Sequence, residues 1–126
     1  MQIYNGITRA AAVLMLGALS AFSTLVLAGD ADFTLVNSTG IDIEEIYISA
    51  ASRNVWGNDR LGRSTLDNGK SRHFKFSDSA ACVQDIKVVF GDNAGEAVWE
   101  NLDLCEINKL TLRYNRSTRT VTAIKE

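Results

Sequence analysis

The stretch CVQDIKVVFGDNAGEAVWENL, residues 82–102, decides the fold. Within it Ile86, Val88 and Phe90 alternate with Asp85, Lys87 and Val89, the period of two expected of a strand with one buried face. Gly91 to Gly95 then gathers residues that tolerate a tight reversal, so the chain is predicted to return as a hairpin through Glu96 to Leu102. Neighbouring strand residues point to opposite faces, which puts Val98 or Trp99 inward but not both. Cys82 opens the segment and Cys105 follows its end.

The same alternation continues on both sides. Leu110, Leu112 and Tyr114 share one face of the next strand, Asn115-Arg116-Ser117 turns, and Thr118 to Ile124 closes the chain with Val121 and Ala123 together. Upstream, Asp32 to Asn37 carries Phe33 and Leu35 on one face and stops at the turn cluster Asn37-Ser38-Thr39-Gly40. Between Ile41 and Ser49 the phase flips: Ile41 and Ile43 have one parity, Ile46 and Ile48 the other. All four isoleucines can face one core only across a β-bulge or a short break at Glu44-Glu45. Ala50 to Gly62 has no strand period and reads as a long loop with room for a helical turn. After the turn Asp67-Asn68-Gly69-Lys70, Ser71 to Ser77 sets Phe74 and Phe76 against His73 and Lys75. About seven strands result, and the predicted fold is all-β: a small antiparallel β-sandwich, with a small β-barrel as the alternative.

With 126 residues the chain has room for one domain, and 46% hydrophobic with 22% charged residues is a globular composition. Ala10 to Ala28 is an uncharged apolar run after Arg9. It reads as a signal peptide, residues 1–28, cut after Val26-Leu27-Ala28, with Gly29-Asp30-Ala31 as a second cleavage candidate and an uncleaved anchor as the alternative. No Arg-Arg pair supports twin-arginine export, and Asp30 stands where a lipoprotein would carry its lipidated cysteine. Cleavage removes one of the 13 basic residues and no acid, leaving residues 29–126 with a net charge of −3. That mildly acidic domain lacks the basic footprint of a nucleic-acid partner or of an anionic membrane surface, so neither partner is expected after cleavage. The two cysteines remain in an exported domain, where a lone pair is expected to form a disulfide, Cys82–Cys105. Periplasmic or secreted localisation follows from the same reading.

Asn37-Ser38-Thr39-Gly40-Ile41, Ile46-Tyr47-Ile48-Ser49, Trp56-Gly57, Leu61-Gly62, Gly69-Lys70-Ser71, Phe74-Lys75-Phe76, Cys82 with Asp85-Ile86, and Leu104-Cys105 form a recurrent pattern. It resembles a family of small exported bacterial β-rich proteins without an assigned reaction, over about Phe33 to Leu112. The resemblance implies export, a β-rich domain and bacterial origin, and brings no active site.

Few residues suggest chemistry. His73 is the single histidine, beside Arg72 and near Lys75, and a solvated strand residue is the simplest reading. Two cysteines and one histidine cannot complete a four-ligand zinc site. Asp92, Asn93 and Glu96 lack the spacing of an EF-hand loop and read as a turn. Glu44 and Glu45, being adjacent, point to opposite faces and make no glycosidase pair. No cofactor is expected. Asn37-Ser38-Thr39 and Asn115-Arg116-Ser117 match the glycosylation sequon, a pattern with meaning only in a eukaryotic secretory pathway.

Trp56 carries the most information about function. It either lids the end of the core or stands out as an anchor, with Arg53, Asn54, Asn58 and Asp59 placed to orient a ligand. The functional expectation is a non-catalytic binding or interaction module of the bacterial envelope or secreted fraction, for a protein or glycan partner, with Trp56, Arg53, Asn58 and Asp59 as its binding residues. One alternative is an inhibitor or immunity-type protein against a hydrolase, presenting the Ala50–Leu61 loop. Another is a small enzyme with two carboxylates in a cleft, roughly 5–9.5 Å apart if it cleaved glycosides.

Overall fold

The computed structural model describes residues 30–126, so the expected signal peptide, residues 1–28, lies outside the described residues. The described chain forms seven strands: β1 (Phe33–Ser38), β2 (Ile43–Ala50), β3 (Ser71–Phe74), β4 (Val83–Phe90), β5 (Glu96–Asp103), β6 (Lys109–Asn115) and β7 (Thr120–Lys125). A single 3-10 turn, Leu104–Glu106, separates β5 from β6, with the Asp103 carboxylate accepting the Cys105 N–H at its start. The strands divide into a four-stranded sheet, β3-β1-β6-β7, and a three-stranded sheet, β2-β4-β5. This is an open sandwich, not a closed barrel. Neighbouring strands run antiparallel except β1 and β6, which pair in parallel from Thr34↔Lys109 to Ser38↔Arg113.

The apolar parities seen in the sequence meet between the sheets. Phe33, Leu35, Leu110 and Leu112 from one sheet, with Ile43, Ile46, Ile86 and Val88 from the other, are fully buried. The isoleucine phase problem is solved by a bulge: Ile43 pairs with Phe90 and Glu45 with Val89, leaving Glu44 as the extra residue. A second bulge lies in β5, where Gln84 pairs with Leu102 but Ile86 with Trp99. Asn101 takes a positive φ of 57° there, and its N–H is accepted by Asp85 Oδ1 at 2.9 Å. The bulge lets Ala97 and Trp99, then Leu102, all pack on the core, while Val98 faces outward.

At the β4–β5 hairpin, Asp92 and Asn93 both have positive φ, the backbone of the primed turns that match strand twist. β3 is shorter than the Ser71–Ser77 segment expected. It ends at Phe74, because the Phe76 N–H turns to Asp32 Oδ1 at 2.6 Å. Phe76 nevertheless stays against the core, tilted on Phe33 with centroids 6.3 Å apart.

The Cys82–Cys105 disulfide spans the base of this hairpin, with Cα atoms 5.2 Å apart, inside the roughly 4.4–6.8 Å window for such bonds. Such a bond is consistent with an oxidising compartment. Among the described residues no helix is long and apolar enough to cross a membrane.

Candidate functional site

The loop after β2 is anchored at two points, and its middle projects between them. Ala51 N–H donates to Val83 O and Arg53 N–H to Ala50 O, which fixes the first turn. Further on, Asp59 Oδ1 accepts both Ile46 N–H and Leu61 N–H at 2.9 Å, and Arg60 N–H donates to Ile46 O. Hydrogen-bonded turns thus stand where the sequence leaves room for a helical one. The segment from Arg60 to Leu66 returns along the open edge of β2, reaching the Ile43↔Leu66 bridge.

Between these anchors Trp56 is half-buried and stands outside the core cluster. Its neighbour Val55 is exposed, and Val55 O accepts the Ser49 hydroxyl at 2.5 Å. Lys87, on the outer face of β4, places its ammonium 5.3 Å from the Trp56 ring centroid and 4.9 Å from that of Tyr47. A cation held over two aromatic faces fixes the indole's position without burying it.

Trp56 is the common wall of two clefts. The larger, about 460 Å³, is bounded by Arg53, Trp56, Asn58, Arg60, Phe76 and Gln84, among others. The smaller, about 210 Å³, lies against Asn54, Val55, Asp85 and Glu100. Of the residues expected to bind, Arg53, Trp56 and Asn58 meet in the larger cleft. Asp59 does not join them, because its carboxylate oxygen is engaged by two backbone N–H groups as a loop anchor.

Sequence reasoning missed Arg60, Phe76, Lys87 and Gln84. Arg60 lies with its guanidinium carbon 5.3 Å from the Phe76 centroid and 5.7 Å from that of Phe74, and burial lowers its pKa from the ordinary arginine value. Gln84 is buried at the foot of the cleft and donates from Nε2 to Ala81 O at 2.7 Å. The available signal was the alternation itself: Lys87 had to face outward and Gln84 inward once Ile86 was placed.

The remaining candidates sit elsewhere. His73 is exposed on the outer face of the other sheet, with Nδ1 3.0 Å from Thr34 Oγ1, in a depression shared with Asp30, Asp32 and Asn108. The one grouping of three metal-ligand types among the described residues is Cys82, Asp103 and Cys105. Both sulfurs there are committed to the disulfide. Asn37 is fully buried: Nδ2 donates to Ile41 O and Leu66 O, and Oδ1 accepts from Thr39 N and Oγ1. Its sequon is a structural knot joining three chain segments.

Comparison with family models, with curated proteins and with solved structures finds no match for the chain.

Proposed function

We propose that this protein is a non-catalytic binding module of the bacterial envelope or secreted fraction, exported by cleavage after Ala28, and that the Trp56 wall is its recognition surface. The resemblance to small exported β-rich proteins and the disulfide support the compartment. The observation that carries the site is the state of Trp56: a large aromatic held in place by Lys87, half-exposed between two clefts and absent from the core. Rigid aromatics so placed are the usual anchors of binding surfaces.

The test is capture of a partner from envelope extract by the exported protein and by Trp56→Ala. The variant should lose more than about 1–2 kcal/mol of binding, the range of interface hot spots. Its unfolding midpoint should stay nearly unchanged, whereas truncation of a core tryptophan costs about 3–5 kcal/mol. A strongly destabilised variant, or a stable one with undiminished capture, overturns this reading.

A further inference from the structure

The cleft beside Trp56 holds a cation that no ion pair among the described residues neutralises. Arg60 rests over Phe74 and Phe76, and its guanidinium forms no ion pair or hydrogen bond among the described residues. The one ion pair there joins Lys109 to Glu126. Guanidinium is a donor-only, permanently charged group with a planar fork suited to a carboxylate. Half-buried against two aromatic rings and with no ion pair among the described residues, it keeps its fork available to an anion. The cleft adds Arg53, and no Asp or Glu is among the described residues that line it, although acids outnumber bases in the chain, 15 to 13. Two arginines in a hollow with no acid among its described lining are complementary to an anion.

The rest of the lining favours a sugar. Trp56 lines it with an aromatic ring for sugar C–H groups, Asn58 adds an amide for ring hydroxyls, and Ser49, whose hydroxyl donates to Val55 O, adds an acceptor oxygen. The volume, about 460 Å³, falls in the roughly 300–1,000 Å³ range of small-ligand pockets. An extended peptide would need an open strand edge, and from Ile43 to Ile46 the edge of β2 is occupied by Arg60 N–H on Ile46 O and by the Ile43↔Leu66 bridge.

We propose that this cleft binds an acidic sugar, with Arg60 and Arg53 on its carboxylate, Trp56 against its ring and Asn58 on its hydroxyls. The proposal names a ligand class for the surface described under Proposed function and rests on that reading. It requires no covalent step.

The test is calorimetric titration of the exported protein with trigalacturonate and with a glucuronate-containing tetrasaccharide, each beside its carboxyl methyl ester. At least one acid should bind, with its ester about tenfold weaker or more and with affinity falling as salt rises. Arg53→Gln, on an exposed loop residue, should weaken the acid and leave the ester unchanged. Arg60→Lys keeps the charge but loses the fork, and should also weaken the acid. Equal affinity for acid and ester overturns the carboxylate assignment. No binding of either acid, while capture from envelope extract stays dependent on Trp56, overturns the acidic sugar and leaves the recognition surface standing. Acid binding indifferent to Arg53→Gln, Arg60→Lys and Trp56→Ala removes the site, and the surface falls with it when capture from envelope extract is equally indifferent to Trp56→Ala.

Discussion

Asn37 shows how much one side chain holds in place. Its amide reaches the turn after β1, the strap at Leu66 and, through Thr39, its own loop, with every polar atom bonded and none exposed. Asn37→Asp keeps the size and the acceptor but sets a carboxylate oxygen against two carbonyl oxygens. Denaturant unfolding should show a loss of about 3 kcal/mol or more; a change below about 1 kcal/mol would contradict the role given to this residue. Tyr47 makes a second test. Its hydroxyl donates to Glu45 Oε1 at 2.6 Å, and that bond, with partial burial and the nearby acids, pushes its pKa up to about 12 from 10.0. The fold favours the neutral phenol, so this contribution to stability is complete below the unfolded value of 10.0 and is lost as pH rises through about 12. An ultraviolet titration should place Tyr47 near its raised value, and Glu45→Ala should bring it back toward 10.0; an unshifted titration in the variant would refute the cause.

Among the elements, the β4–β5 hairpin is held three ways: by its ladder, by the bond from Leu104 N–H to Cys82 O at 2.8 Å, and by the disulfide closing a separation of 23 residues. Cys82→Ser with Cys105→Ser should cost about 3 kcal/mol, lowering the melting temperature by roughly 10–20 °C for a domain of this size. A loss under about 1 kcal/mol would mean the hairpin is already ordered in the unfolded chain. The two bulges show what was legible in the sequence. Glu44 was, because four isoleucines of mixed parity had to share one core. Asn101 was not: it is polar on either face, and only its positive φ and the bond to Asp85 betray the extra residue. The parallel pairing of β1 with β6 was equally hidden, since alternation tells which face is buried and nothing about the neighbour. At the site, Trp56, Arg53 and Asn58 stood out as an aromatic with polar companions. Arg60 did not, because its surroundings come from Phe74 and Phe76, remote in sequence. Asp59 misled for a related reason: an acid in a loop looks like a ligand group until its backbone partners are known.

At the scale of the molecule, the sandwich is laced along one side by the connection from β2 to β3, which covers the β2 edge from Ile43 to Ile46 and carries the Trp56 wall. The proposed recognition surface sits on a long loop pinned by Asp59 and Arg60 to the sheet, a placement that would limit the ordering cost of binding. The two tryptophans give an internal control, since Trp99 packs on the core from β5 while Trp56 lines the clefts. The most direct test is a nitrogen-15 NMR titration of the exported protein with the partner captured from envelope extract, following both indole N–H signals. The Trp56 signal should shift or broaden together with the backbone of residues 53–60, while that of Trp99 stays in place. An unmoved Trp56 signal, with the changes gathered on the opposite sheet around His73 or at the β4–β5 hairpin tip, would contradict the assignment of recognition to the Trp56 wall.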